Sequence, residues 1–170
     1  LVSLGWKCVL ETGPTVIRYS KDPIPDDIRI VTSHDGLDVL CDGPEDGILL
    51  VAHGQLCAEA LAAVDQLDSP VRVVSPRWSL PVCGGLIEEA ARARAVVSVE
   101  DGLVVSGLGS HLADALSQRG MWRPIRSLGI PQRYLDHDSR SAIMAELGLD
   151  SRGIADAVSQ LVAQLDGEYS

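Results

Sequence analysis

The sequence has few basic residues and no long apolar run, and both shortages narrow what the chain can do. It contains only two lysines beside twelve arginines, and its net charge is −10. Nucleic-acid binding needs clustered lysine and arginine to neutralise phosphates, so we expect no nucleic-acid partner. The longest apolar runs have the length of strands, whereas a bilayer helix needs roughly 20 residues, so we expect no membrane span.

The sequence also lacks paired cysteines and a signal-peptide pattern. Its four cysteines are widely and irregularly spaced, with no Cys-x-x-Cys pair, so neither a zinc knuckle nor a disulfide framework is indicated. Reduced thiols in a cytosol are the preferred interpretation, which predicts a cytoplasmic protein. The chain opens at Leu1 rather than Met, and we expect its natural start to be missing.

Motifs that carry chemistry on their own are also scarce. The sequence has no Gly-x-Ser-x-Gly elbow and no Walker loop. The turn Ser106–Ser110 resembles a phosphate cradle, but Leu112 occupies the place of a further glycine, which favours close helix–strand packing instead. His53 and Cys57 are four residues apart without an evident third ligand, so a metal site is the weaker alternative. A solvated loop is the preferred interpretation of the stretch from Asp136 to Asp138.

Short apolar runs alternate with segments of helical periodicity from about residue 28 onward. Five strands are predicted, at Leu37–Cys41, Ile48–Ala52, Val71–Val74, Ala95–Val99 and Ile125–Leu128. Helical patterns follow around residues 56–67 and 86–91, from about Ser110, after a cap at Ser139 with a stop at Gly148, and from Asp150 or Ser151. This order predicts an α/β domain, with a mostly parallel sheet of about five strands and helices on both faces.

The first residues are predicted to belong to a different unit. Thr15–Tyr19 has the pattern of a strand, and a single strand needs partners that this chain does not supply. Two prolines and dense charge follow. We therefore predict that residues 1–21 end a preceding domain, that residues 22–36 are a linker, and that residues 37–170 form the α/β domain.

Several phrases along the chain carry a family resemblance. They are Gly13–Tyr19, Gly47–Gly54, Val96–Asp101, Ser106–Ser110, Leu128–Pro131, and the run Ala145–Asp150 with Gly153 and Ile154. Together they resemble the C-terminal part of the 1-deoxy-D-xylulose-5-phosphate synthase family, thiamine-diphosphate enzymes of the transketolase superfamily. The last run is the most specific, because it separates this family from transketolases and ketoacid dehydrogenase subunits.

The resemblance implies a fold and a place in a larger enzyme. Residues 37–170 would be a three-layer transketolase C-terminal-like domain, and residues 1–21 the end of a pyrimidine-binding domain. The parent enzyme condenses pyruvate with glyceraldehyde 3-phosphate and releases CO₂, using thiamine diphosphate and Mg²⁺. The implied partners are the remaining domains of the parent and a second copy in a homodimer.

The resemblance also implies one contact with substrate. The family's basic residue after the conserved tyrosine binds the acceptor phosphate, and Lys21 occupies that position, with Arg18 as a possible assistant. Ser20 and Asp22 replace the proline and glycine that flank this residue in the family, and Asp22 adds a negative charge beside an anion site. A solvated linker lysine is the alternative.

The family's cofactor machinery is missing from this chain. The superfamily holds Mg²⁺ through a Gly-Asp-Gly phrase followed by asparagine, and this sequence has no such phrase and no asparagine. The activating glutamate and the active-site histidine of the family lie upstream of Leu1. We therefore expect no catalytic, cofactor-binding or metal-binding residue in this chain, and a structural, dimer-supporting fragment that is inactive alone.

Two other interpretations remain open. One is a non-catalytic binding or regulatory module that kept the fold and lost the chemistry, which the changes at Ser20, Asp22 and Ser106 support. The other is the C-terminal domain of a divergent transketolase or ketoacid dehydrogenase subunit.

Overall fold

The computed structural model describes residues 8–17 and 28–167 of the chain. Residues 8–10 are helical, and six strands and five further helices are described from residue 28 onward. The strands are β1 (Thr32–His34), β2 (Leu37–Cys41), β3 (Ile48–Ala52), β4 (Val71–Pro76), β5 (Ala95–Leu103) and β6 (Ile125–Ile130). The helices are α1 (Leu56–Val64), α2 (Gly84–Arg92), α3 (Leu108–Ser117), α4 (Arg140–Glu146) and α5 (Ser151–Gly167).

All six strands form one sheet in the order β1-β2-β4-β3-β5-β6. The four strands β4, β3, β5 and β6 are parallel to one another, while β1 and β2 are antiparallel additions at the β4 side. The prediction of a mostly parallel sheet is confirmed, and all five predicted strands are present. The sheet has one more strand than predicted, because β1 was assigned to the linker.

The hydrophobic core lies on both faces of the sheet. In the central strand β3, Ile48 and Leu50 face one cluster while Leu49 and Val51 face the other, and the whole strand is buried. Helices α1, α4 and α5 cover the first face, and α2 and α3 cover the second. A strand buried on both faces reads as a continuous apolar run, which is why its prediction from sequence was correct. The three-layer α/β architecture is confirmed.

The strand β1 is joined to β2 by a tight two-residue turn. Asp35 and Gly36 both have positive φ angles, 40° and 79°, and His34 pairs with Leu37 across the turn. Positive φ at both central residues is the mark of a type I′ hairpin, for which Asp-Gly is a preferred pair. This signal was present in the sequence, but β1 is short and mostly exposed and so shows no apolar pattern.

The predicted strand at Thr15–Tyr19 stays a prediction, because the partner strands that it needs were expected outside this chain. Residues 15–17 have no strand structure and are exposed, and Val16 is 88% exposed. Tyr19 and the linker prolines Pro23 and Pro25 lie outside the described residues, as do Arg18 and Lys21. The domain boundaries stay a prediction, with β1 lying inside the segment predicted to be a linker.

Two helix starts follow the predicted local chemistry. The hydroxyl of Ser139 accepts a hydrogen bond from the backbone N–H of Ala142, so it caps α4 as expected. Gly148, with a φ of 67°, ends that helix. The carboxylate of Asp150 accepts a hydrogen bond from the backbone N–H of Gly153 at the start of α5.

None of the helices that the structure describes is long and apolar enough to cross a membrane.

A buried ion pair joins β4 to α2 and was not anticipated. The guanidinium of Arg72 donates to both carboxylate oxygens of Glu89, with distances of 2.9 Å from Nε and 3.1 Å from Nη2. The two residues are 8% and 2% exposed. Burial works against the charge of Arg72, but its bonds to Glu89 and to Asp42 outweigh that effect and raise the pKa of Arg72. The two hydrogen bonds of Arg72 to Glu89 fix α2 against the sheet.

Candidate functional site

The carboxyl ends of the four parallel strands meet at one edge of the sheet. Polar residues lie at this end of three of them: His53 follows β3, Ser79 follows β4, and Glu100 and Asp101 lie in the last part of β5. In open α/β sheets ligands bind outside this edge, because the loops after the strands converge there. We therefore treat this carboxyl edge as the candidate functional site.

His53 and Ser79 hold two of these loops together. The Nε2 atom of His53 lies 2.7 Å from the hydroxyl of Ser79, and the backbone N–H of His53 donates to the carbonyl of Val99 at 3.3 Å. Burial lowers the pKa of His53, and the backbone of Pro76 opposes that shift. A neutral imidazole can accept the proton of the Ser79 hydroxyl, so this contact fixes the loop after β4 to the end of β3.

Cys57, in the first turn of α1, makes contacts different from those of His53. Its sulfur is 3.4 Å from the hydroxyl of Ser75 and 3.6 Å from the carbonyl of Ala52. Burial raises the pKa of the Cys57 thiol, so the thiolate that would bind a metal or attack an electrophile is disfavoured. Among the residues that the structure describes, no group of three histidine, cysteine or acidic side chains is arranged to hold a metal ion.

The glycine-rich turn before α3 packs closely against the sheet. Gly107 is the N-cap residue of α3, and a side chain there would overlap the carboxylate of Glu100. Gly109 lies directly over Ser98 and Ser127, so any added Cβ would collide with both hydroxyls. These contacts agree with the predicted helix–strand packing. The carboxylate of Glu100 occupies the position beside the helix N-terminus that an anion would need.

A second ion pair ties the β1–β2 hairpin to the loop after β4. Arg77 donates to Oδ1 of Asp38 from Nη2 at 2.8 Å and from Nε at 3.2 Å, and its backbone N–H donates to Gly36. The hydrogen bonds to Asp38 and the charge of Asp38 raise the pKa of Arg77. The hairpin is thereby held at the same edge as His53 and Ser79.

The loop after β6 is held by an ion pair where α4 begins, and the residues before that point are exposed. Arg140, the first residue of α4, lies 2.9 Å from the carboxylate of Asp101. Asp136, His137 and Asp138 are all exposed, as expected for a solvated loop. The contacts His53–Ser79, Asp38–Arg77 and Asp101–Arg140 fix loops of the carboxyl edge to one another, and this arrangement supports a rigid surface.

The two residues predicted to contact phosphate cannot be placed at this edge. Arg18 and Lys21 lie outside the described residues, so their role stays a prediction. The sequence analysis did not anticipate His53–Ser79, Asp38–Arg77 or Arg72–Glu89. Each of these pairs joins residues at least 17 positions apart, and only the tertiary fold brings them together.

The chain is similar in sequence to a family of transketolase C-terminal domains and to 1-deoxy-D-xylulose-5-phosphate synthases. The sequence model of the family described as "Transketolase, C-terminal domain" matches residues 38–154. The 1-deoxy-D-xylulose-5-phosphate synthase of Cutibacterium acnes is 98% identical over 161 residues, which are 95% of this chain and 26% of that protein. The 1-deoxy-D-xylulose-5-phosphate synthase 2 of Streptomyces coelicolor is 42% identical over 167 residues, which cover 95% of this chain and 26% of that protein. The chain thus spans about a quarter of the length of these relatives.

Solved structures share the same architecture. One, described as "Split gene transketolase, inactive beta4 tetramer", has a TM-score of 0.66 and 29% identity, covering 76% of this chain and 43% of that chain. The transketolase of Campylobacter jejuni has a TM-score of 0.53 and 16% identity, covering 78% and 20%. The second likeness, at this low identity, concerns the fold alone.

Proposed function

This chain belongs to the family of transketolase C-terminal domains, and on that premise we propose that it is the C-terminal portion of a 1-deoxy-D-xylulose-5-phosphate synthase. The observation that carries the proposal is the 98% identity with the Cutibacterium acnes synthase over nearly the whole chain. Because the match spans 26% of that relative, the activity proposed is that of a longer parent protein.

The proposed parent reaction joins pyruvate to glyceraldehyde 3-phosphate with loss of CO₂, and supplies precursors for isoprenoid and thiamine synthesis. Thiamine diphosphate, when bound, supplies the carbanion chemistry. The residues described here do not fit its magnesium site, since they offer no cluster of three suitable ligands and the sequence has no asparagine. We therefore assign the cofactor and Mg²⁺ to parts of the parent outside this chain.

The proposed contribution of this chain is mechanical support with one contact to substrate. Residues 1–21 would close the preceding pyrimidine-binding domain, residues 22–36 would link it, and residues 37–170 would form the supporting domain. The loops of the carboxyl edge, fixed by His53–Ser79 and Asp38–Arg77, give that domain a rigid face. Lys21, assisted by Arg18, would bind the phosphate of the acceptor, and the parent would be a cytoplasmic homodimer.

The direct test is an assay of the purified parent with pyruvate and glyceraldehyde 3-phosphate. We expect CO₂ release and formation of the five-carbon product in equal amounts, with neither seen when thiamine diphosphate is omitted. A parent that consumes a ketose phosphate donor but releases no CO₂ from pyruvate would contradict the proposal and favour a divergent transketolase. A parent without either activity would favour the non-catalytic module.

A further inference from the structure

A groove of about 520 Å³ lies at the amino-terminal end of β6, between α3 and α5. Residues 121–126 line it together with Leu116 of α3 and Leu161 and Gln164 of α5. Trp122 and Met121 are 77% and 40% exposed, and exposed apolar side chains grouped in a groove are typical of a binding surface. Because β6 is parallel to its neighbours, this groove lies at the end of the sheet opposite the carboxyl edge.

The groove is basic although the chain as a whole is strongly acidic. The sequence has 24 acidic residues and a net charge of −10, yet residues 115–135 contain four arginines and no acidic residue. Two of these arginines, Arg123 and Arg126, line the groove, and no carboxylate is found among its described lining residues. An acidic partner would be repelled by most of the molecule and attracted to this place, so the charge favours an acidic occupant.

The charges of these two arginines are held in position without being neutralised. Arg123 donates to three backbone carbonyls, those of Ala91, Ala93 and Trp122. Arg126 donates to the carbonyl of Ala157 at 3.0 Å and to the side chain of Gln164 at 2.6 Å. All of these acceptors are uncharged, so each guanidinium keeps its full positive charge. A guanidinium has five N–H donors, and those not used here are the groups that a carboxylate would accept from.

The groove continues onto a free strand edge. The strand β6 is the last of the sheet, so its outer edge has no strand partner among the described residues. Its inner edge is bonded to β5, where Val96 donates to the carbonyl of Pro124. Backbone groups alternate in direction along a strand, so the N–H and C=O groups of Ile125, Ser127 and Gly129 point away from the sheet. Such an edge can bind an extended peptide through main-chain hydrogen bonds.

We propose that this groove binds an acidic, extended segment of another protein, which adds to β6 as a further strand. On the α3 side the groove presents Leu116, Ile125 and Trp122, and on the α5 side it presents Arg126. Side chains alternate between the two faces of a strand. The bound segment therefore carries apolar residues toward α3 at every second position, with acidic residues between them toward Arg126.

A second copy of this chain fits the groove less well than an acidic segment. A two-fold contact uses the same patch on both copies, so it would bring Arg123 and Arg126 against the same two positive charges. The proposal concerns a binding partner and a surface away from the carboxyl edge. It therefore goes beyond the proposed synthase activity and stands whether or not that activity is correct.

The first test is fluorescence anisotropy of the 170-residue chain with two labelled peptides. One is Ser-Val-Glu-Val-Glu-Val-Ser, and the other has glutamine in place of both glutamates. We expect the acidic peptide to bind at least about tenfold more tightly at low salt, and we expect this difference to shrink as salt is added. Equal affinity for the two peptides overturns the proposal, as does the absence of binding by either.

Four variants test whether the acidic peptide binds in the groove. Trp122→Glu places a carboxylate there at an exposed position, and Arg126→Gln removes a positive charge. We expect each to weaken binding by at least about fivefold. Tyr134→Glu and Arg152→Gln make the same changes at exposed positions that do not line the groove, and should change binding by less than about twofold.

Circular dichroism checks that each variant is folded. Because Trp122 is exposed, Trp122→Glu remains a valid test even if Arg126→Gln does not fold. Equal weakening by Trp122→Glu and Tyr134→Glu overturns the proposal.

Amide hydrogen exchange tests the addition of a strand. At saturation with the acidic peptide, the amides of Ser127 and Gly129 should exchange more slowly, while those of Arg126 and Leu128 should not change, because they already face β5. Bound peptide that leaves Ser127 and Gly129 unprotected overturns the proposal. So does sedimentation equilibrium that shows a dimer of the chain dissociated by Trp122→Glu but not by Tyr134→Glu, since a second copy would then occupy the groove.

Discussion

Ser106 lies in the left-handed region of backbone space, with a φ of 60°, directly before α3. This conformation costs an L-residue roughly 1–2 kcal/mol, and glycine avoids that cost while losing roughly 0.5–1 kcal/mol of chain entropy. We expect Ser106→Gly to raise the free energy of unfolding by about 0.5–1 kcal/mol, measured by urea denaturation. The control Ser106→Ala keeps the strain, and a glycine variant no more stable than the alanine variant would contradict this interpretation.

His53 makes stability depend on pH in a definite direction. Its pKa in the folded state is lowered by burial, so between that value and the unfolded value of about 6.5 the unfolded chain binds more protons. The stability that depends on neutral His53 is therefore fully present above about pH 6.5 and is lost as the pH falls towards the lowered pKa of the folded state. Urea denaturation from pH 7.5 to 5.5 should show a steeper loss of stability in the wild type than in His53→Gln.

The pH effect of His53 has an upper limit and a matched control variant. The slope difference must stay below the single-proton limit of about 1.4 kcal/mol per pH unit. His137→Gln removes an exposed histidine from the loop after β6 and should leave the slope of the wild type unchanged. Identical slopes for wild type and His53→Gln would mean that His53 is not held neutral by the fold.

Lys21 can be tested in the parent against the only other lysine of the chain, Lys7. A charge-assisted hydrogen bond contributes about 1.5–3 kcal/mol, so we expect Lys21→Ala to raise KM for glyceraldehyde 3-phosphate by about tenfold or more. The KM for pyruvate, and both constants in Lys7→Ala, should change by less than about twofold. Equal effects of Lys21→Ala on the two substrates would remove this lysine from the phosphate site.

At the scale of elements, the contact between β4 and α2 depends on the buried pair of Arg72 and Glu89. Replacing one partner strands a buried charge, whereas replacing both by apolar residues is often tolerated. We expect Arg72→Met to lower the free energy of unfolding by about 3–5 kcal/mol, and Arg72→Met with Glu89→Leu to regain most of that loss. Urea denaturation of wild type, single and double variants measures the difference, and a double variant as unstable as the single one would argue against the mechanism.

The elements that were predicted correctly are those whose burial or capping is visible in a short stretch of the sequence. The strand β3 is an unbroken apolar run, α5 has an apolar stripe whose members Ile154, Val158 and Leu161 are buried, and Ser139 caps α4. The strand β1 was missed because its three residues pair with β2 without burying an apolar face. The strand expected at Thr15–Tyr19 stays a prediction, since the strands to which it would bond were placed in a preceding domain.

The site was less predictable than the fold for a related reason. The pairs His53–Ser79 and Asp38–Arg77 join a strand end or hairpin to a loop 26 and 39 residues away. No local pattern marks a residue for such a pairing. The parallel pairing of β3 with β4 brings His53 near Ser79, and the antiparallel pairing of β2 with β4 brings Asp38 near Arg77. The glycine-rich turn was the exception, since its packing at Gly109 follows from a local need for small residues.

At the scale of the whole molecule, the central claim is that this lobe supports chemistry housed elsewhere in a longer protein. The chain spans 26% of the Cutibacterium acnes synthase, and the pairs His53–Ser79 and Asp38–Arg77 of its carboxyl edge hold loops together. Two experiments address this claim from different sides. The parent assay asks which reaction is catalysed, and a binding measurement on the chain itself asks where the cofactor is held.

That binding measurement is isothermal titration calorimetry of the 170-residue chain with thiamine diphosphate and Mg²⁺, beside the same titration of the parent. We predict saturable heat for the parent and none for the chain at cofactor concentrations up to about 1 mM, a limit that corresponds to binding weaker than about 4 kcal/mol. Micromolar binding by the chain alone would contradict the account, because a complete cofactor site would then lie within these residues.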